Sequence, residues 1–194
     1  MSNARNLANF LGTSTTVPSG KIVAASLPSD SVLQVKSTVK ADIQSIAGST
    51  FADIMSVSIT PTSTSSKIFV MCDINITCAL TDASTTGARY SGVKLFRDST
   101  QIAINSDASG IQAKVWFSVQ STETTNSGFM QNCASGSFMD SPSSTSALTY
   151  KIQAANTYST NHYTYINRPS YGVTDNQAYN HKGVTTLTVM EIAG

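Results

Sequence analysis

Two histidines, His162 and His181, are the only imidazoles of the chain. Imidazole is the side chain best suited to moving protons near neutral pH. Neither has a second histidine at the His-x-His or His-x-x-x-His spacing that would set two ring nitrogens on one metal. Asp107, Asp140 and Asp175 are acids that folding could bring beside them as orienting partners, but no local spacing links them. Both histidines sit in or beside polar stretches and are read as solvated loop residues. Carboxylates are few, with 11 Asp and Glu together. A sugar-cleaving site needs two of them about 5–9.5 Å apart across a cleft. Only Asp73 and Glu191 fall on firmly predicted strands, and both are read as surface or ion-pair residues. No pattern of acids or metal ligands points to catalysis, and a sugar-cleaving enzyme is the remote alternative.

The chain has three cysteines, Cys72, Cys78 and Cys133. Cys72 and Cys78 lie six residues apart on one predicted strand, which separates them by roughly 20 Å and puts them beyond disulfide reach. No Cys-x-x-Cys corner for zinc occurs. All three are read as buried free thiols. Residues Asp107–Gly110 and Ala134–Ser137 are ordinary turns and not phosphate-cradling loops.

Tyrosines gather late in the chain: Tyr158, Tyr163, Tyr165, Tyr171 and Tyr179, with His162 among them. Rings with an apolar body and a polar tip suit carbohydrate or protein recognition. The same tyrosines also suit packing within a sheet or a contact between subunits.

Charged residues make up 12% of the sequence, about half the usual quarter. Ser and Thr fill more than a quarter of it. Val, Ile, Thr, Tyr and Phe recur throughout, so the composition is that of a folded all-β protein wetted by hydroxyls rather than of a disordered chain. The net charge is +1. No basic stripe is available to neutralise phosphates, which argues against nucleic-acid binding. No apolar run approaches the roughly 20 residues that span a bilayer. The first residues lack a charged-then-apolar plan, so synthesis in a cytoplasm without general secretory export is expected.

Residues 4–11 could form two turns of helix with Leu7, Phe10 and Leu11 on one face, ended by Gly12. So short a helix needs a partner surface. A polar linker over 13–20 and a short strand over 21–27 follow. Residues 1–30 are therefore read as an arm outside the domain formed by 31–194. Strands are predicted over 32–40, 50–59, 67–80, 90–97, 100–104, 114–120, 128–140, 147–155, 162–167 and 185–192. The clearest is 67–80, where Ile68, Val70, Cys72, Ile74, Ile76, Cys78 and Leu80 share one face. The other face begins apolar with Phe69 and Met71, then turns polar. Residues 172–183 read as a polar loop. The count implies an antiparallel two-sheet sandwich of the jelly-roll kind.

Several phrases carry a resemblance. They are Arg5–Gly12, Val32–Lys40, Ser56–Pro61, Thr64–Val70, Leu95–Asp98, Tyr150–Gln153, Tyr165–Arg168 and Met190–Gly194. Together they resemble structural proteins of tailed bacteriophages of marine and freshwater bacteria, which carry a C-terminal jelly-roll module. The resemblance implies an exposed virion protein, often trimeric, with a head similar to the C1q and tumour-necrosis-factor jelly rolls. It implies no cofactor and no catalytic residues. A homotrimer on the virion surface is therefore expected, contacting a major capsid or tail protein. With no long shaft in the sequence, it reads as a capsid decoration or cement protein docked through Arg5, Leu7, Phe10 and Leu11. The alternative is a short tail or head fibre whose late tyrosines bind a host-surface glycan or protein.

Overall fold

The computed structural model describes residues 27–80, 87–123, 131–157, 162–169 and 181–194. Among them are eleven strands and no helix: β1 Val32–Lys40, β2 Gln44–Ala47, β3 Ala52–Ile59, β4 Lys67–Leu80, β5 Gly87–Arg97, β6 Thr100–Ile102, β7 Phe117–Glu123, β8 Asn132–Asp140, β9 Leu148–Asn156, β10 His162–Ile166 and β11 Thr185–Ile192. The candidate helix over 4–11 and the arm residues 1–26 lie outside the described residues, as does the candidate strand over 21–27 except for Leu27, which is not in a strand.

Every strand pair is antiparallel, and the strands form one sheet of six and one of five. Without the short β2, β6 and β10, eight strands remain. They pair first with last (β1–β11), second with seventh (β3–β9), third with sixth (β4–β8) and fourth with fifth (β5–β7). That nesting is the jelly roll, so the predicted fold class is the observed one.

β4 is 14 residues long because it serves two neighbours in succession along one edge. Its residues 68–76 pair with β8, while 67–73 pair with β11 and 76–80 with β10. Asn167 occupies the seam where β10 ends and β11 begins. It is fully buried, with φ 61°, a left-handed value that Asn tolerates better than most residues. Its backbone N–H donates to the Asn75 carbonyl at 2.9 Å. Its Nδ2 donates to the carbonyls of Lys40 at 2.8 Å and Asp42 at 2.9 Å, and its Oδ1 accepts from Thr185 Oγ1 at 2.8 Å. One amide thus pins β1, β4 and β11 at the point where the sheet changes partners.

The inner face of β4 is buried from Ile68 through Cys78, as its alternation predicted. It packs on Val93 and Leu95 of β5, Tyr150, Ile152 and Ala154 of β9, and Ile54, Val57 and Ile59 of β3. Between the layers, Ser91 and Thr164 share a buried hydroxyl–hydroxyl bond of 2.6 Å.

Several elements differ from the sequence reading, three of them for a visible reason. β2 was not foreseen, because in Gln-Ser-Ile-Ala only Ile46 turns inward. β6 stops at Ile102 because Ala103 adopts φ 55° and turns the chain. β7 begins at Phe117, three residues later than predicted, and places Phe117 opposite Val93.

Candidate functional site

The carboxylates on strands serve the framework. Glu191 was expected at the surface or in an ion pair, but it is fully buried and, among the described residues, faces four donors and no cation. Gln34 Nε2 donates at 2.6 Å, Thr62 N at 2.7 Å, Thr62 Oγ1 at 2.8 Å and Ser66 Oγ at 2.7 Å. Burial alone would raise its pKa; the bonds from Gln34, Ser66 and Thr62 together outweigh burial and hold it below the usual range. The expectation failed because strand parity does not reveal that the Thr62–Ser66 turn folds hydroxyls over the end of β11. Asp140 accepts from Arg97 Nη1 and the Tyr150 hydroxyl. Asp73 stays exposed and accepts from Ser135 Oγ at 2.5 Å. Asp107 is exposed in a loop, and Asp175 lies outside the described residues.

His162 corrects a second expectation. It opens β10 and is buried on the inner face, because it continues the inward alternation of Thr164 and Ile166. His181 is exposed, as expected. Cys72 and Cys78 are buried as expected; Cys78 Sγ donates to the Val119 carbonyl at 3.4 Å, and burial pushes the Cys72 thiol up to about 12. Cys133 corrects the third: it is free but exposed, on the outward side of β8 opposite Asn75.

The late tyrosines divide. Tyr158, Tyr171 and Tyr179 lie outside the described residues, as do Arg5, Leu7, Phe10 and Leu11. Tyr163 and Tyr165 alternate onto the outer face of β10, away from His162. Their rings stack, centroids 5.6 Å apart and 3° from parallel. The Arg168 guanidinium lies 4.2 Å from the Tyr165 ring centre. Burial raises the Tyr165 pKa, with Arg168 opposing it. The result is a half-buried column of two rings and a cation.

An apolar feature of the surface was only partly visible in the sequence. On the outer face of the six-stranded sheet, Val35, Met190, Phe69 and Met139 stand opposite one another on β1, β11, β4 and β8. They form one apolar row across four strands. Val35 is 51% exposed and Met139 46%. Met71 flanks the row on β4, and Val32 and Ile192 pair beside it at the start of β1. The neighbouring positions are Ser37, Thr188 and Ser137, so the row has a hydroxyl border. Phe69 and Met71 were recognisable as an apolar start to the outer face. Val35, Met190 and Met139 needed the register to join them.

A second apolar feature opens between the sheets. A cleft of about 640 Å³ is lined by Ile102, Ala103, Ile104 and Asn105 after β6, Val115 and Trp116 before β7, and Phe138 of β8. Ile102 and Phe138 point inward on the two sheets, so the cleft leads toward the core. Beside it, the rings of Phe117 and Trp116 pack against Gly136 where a β-carbon would stand.

No protein-family model and no curated protein matches the chain. Among solved structures it is similar to the VP2 subviral particle of infectious bursal disease virus, with 12% identity and a TM-score of 0.39 over 85% of this chain and 38% of that one. It is likewise similar to T=1 particles derived from the same virus, with 12% identity and a TM-score of 0.37 over 90% and 39% of the two chains. The chain spans under two fifths of the length of these structures.

Proposed function

We propose that this chain is a non-enzymatic structural protein of a tailed-phage virion surface, made in the host cytoplasm and assembled there as a homotrimer. Its role is capsid decoration, with the arm ahead of the jelly roll docking on a major capsid or tail protein. The observation that carries this reading is the apolar row Val35–Met190–Phe69–Met139. Contiguous apolar surface with a polar border marks a protein–protein contact. A three-membered ring closes through two different surfaces on each copy. The row is one of them, and the edge of β8 that is unpaired among the described residues is the other. Asp140 and Glu191 support the non-enzymatic reading, because both carboxylates are committed to structural donors.

The test is the solution mass by light scattering of wild type and Phe69→Asp. The expected result is three times 20.5 kDa for wild type and one copy for the variant, with unchanged circular dichroism. A wild-type monomer that also fails to bind purified particles refutes the reading. Arm docking has a separate test. Without residues 1–12 the head should stay folded and trimeric but leave particles undecorated.

The Tyr163–Tyr165–Arg168 column favours a second reading, a short fibre or knob that binds a host-surface glycan. Copy number separates the two. Hundreds of copies per virion mean decoration; a few to a few dozen mean a fibre.

A further inference from the structure

The loop between β6 and β7 carries an isoleucine where solvent should forbid one. Ile111 is 105% exposed, the most exposed of the large apolar residues among the described residues. The loop presents it deliberately. Gln112 N donates to the Ser109 carbonyl at 3.1 Å, and Ser109 N donates to Gln112 Oε1 at 2.9 Å. Gly110 takes φ 61° between them. Lower in the loop, Asp107 N donates to Asn105 Oδ1 at 2.8 Å, and Gln101 Nε2 donates to the Lys114 carbonyl at 2.8 Å. The tip is therefore held in shape before it meets anything, which lowers the entropy cost of binding.

The base of the same loop, at Ala103, Ile104, Asn105, Val115 and Trp116, forms one wall of the cleft, and Phe138 of β8 faces it. That cleft has no charged lining residue, and Asn105 is its one polar side chain. Each copy thus carries one apolar knob and one apolar hole at opposite ends of one loop. Burying a fully exposed isoleucine against apolar walls favours association. The loop also holds one acid, Asp107, and one base, Lys114, on either side of the tip. Both are exposed. When two such loops cross about a two-fold axis, each Asp107 meets the other copy's Lys114 while each Ile111 enters the other copy's cleft.

We propose that two copies of this chain exchange their 103–116 loops in this way, seating Ile111 of each in the Trp116 cleft of the other. Such a contact is isologous and so joins units in pairs. It is distinct from the apolar row, and it would link neighbouring trimers into a network. It holds equally if the unit joined is a single copy.

Trp116 is the only tryptophan of the chain, so its emission reports on the cleft alone. The experiment follows Trp116 emission and sedimentation of the full-length protein over a dilution series. The expected result is a blue-shifted maximum at high concentration that moves red on dilution, in step with dissociation of paired units. Ile111→Ser should weaken the pairing about tenfold or more and leave emission red at every concentration. Asp107→Lys and Lys114→Asp should each fail to pair alone, yet pair when mixed, because the mixture restores opposite charges across the axis. All three sites of change are exposed loop positions, so folding is preserved. The sedimenting unit, one copy or three, is read in the same run and tests the trimer separately. Emission that is independent of concentration and of Ile111 overturns the proposal, whether the cleft then holds its own loop or a small apolar ligand. So does a mixture that behaves as its separate components.

Discussion

The hydroxyl of Tyr150 donates to Asp140 Oδ2 at 2.7 Å, and that bond joins the two sheets. Tyr150 belongs to β9 of the five-stranded sheet; Asp140 ends β8 of the six-stranded one. Arg97, opposite Tyr150 in register, brings Nη1 to 2.9 and 2.8 Å from the same carboxylate. Burial, reinforced by the hydrogen bond to Asp140, raises the Tyr150 pKa, so the phenol remains a donor across the ordinary pH range.

Removing that donor isolates its contribution. Tyr150→Phe keeps the ring and should cost about 1–2 kcal/mol in urea unfolding. Asp140→Ala should cost more, about 2–3 kcal/mol, because it leaves the buried hydroxyl without its acceptor and Arg97 without its charge. Equal costs for the two variants would mean that Arg97 adds nothing to the joint.

Glu191 sets an acid limit on stability. Its pKa is lower in the folded chain than in the unfolded one, so the unfolded state binds the extra proton first as pH falls. Its contribution is complete above the unfolded carboxylate value and disappears as pH drops through the folded value. Glu191→Gln should be less stable than wild type at neutral pH, since its amide turns a donor toward Gln34 Nε2. The difference should shrink steadily as the solution is acidified from neutral into the range below ordinary carboxylate titration. Urea midpoints at a series of pH values measure this; parallel curves for the two proteins would place the acid sensitivity elsewhere.

How much of this could be read beforehand depended on distance along the chain. β4 was legible because its inward set alternates without a break from Ile68 to Cys78, and alternation is a local property. β1 and β11 were legible for the same reason. The burial of His162 was not: a strand was expected from residue 162, but either His162, Thr164 and Ile166 or Tyr163 and Tyr165 could have faced inward, and only the packing of β10 beside β4 decides between them. The burial of Glu191 was hidden in the turn 62–66, which lies about 125 residues away in sequence. The apolar row drew on four strands from both ends of the chain, so no single segment carries its pattern. Tyr163 and Tyr165 were legible only as two of five late tyrosines; their stacking, and Arg168 as their cation, came from the structure.

Gly136 sets the width of the sandwich beside the cleft. A β-carbon there would lie 2.6 Å from Phe117 Cε1, 2.7 Å from Phe117 Cδ1 and 3.0 Å from Trp116 Cε2. These are ring atoms, which cannot yield by a simple rotation. Gly136→Ala should destabilise the domain by about 1–3 kcal/mol and shift the Trp116 emission maximum. An unchanged emission spectrum would show that the indole does not pack over β8 as described.

Asn167 combines two demands that a pair of substitutions can separate. Its side chain satisfies the Lys40 and Asp42 carbonyls and accepts from Thr185, and its backbone holds φ 61°. Asn167→Gly keeps the left-handed backbone at no steric cost and removes only the side-chain bonds. Two buried or half-buried carbonyls and one hydroxyl then lose their partner, which should cost about 2–3 kcal/mol. Asn167→Ala removes the same bonds and also forces a β-carbon into the left-handed region, worth roughly a further 1 kcal/mol. Both variants should unfold at lower urea than wild type, the alanine form first. The loss should also be local before it is global. Amide exchange should speed up at residue 167 and at Gly183, whose N–H groups donate to the Asn75 and residue-167 carbonyls, and along the adjoining ends of β10 and β11, earlier than in the β3–β9 pair of the other sheet. If the glycine form matches wild type in stability, the side-chain bonds are dispensable, and the seam between β10 and β11 is held by the long β4 strand alone.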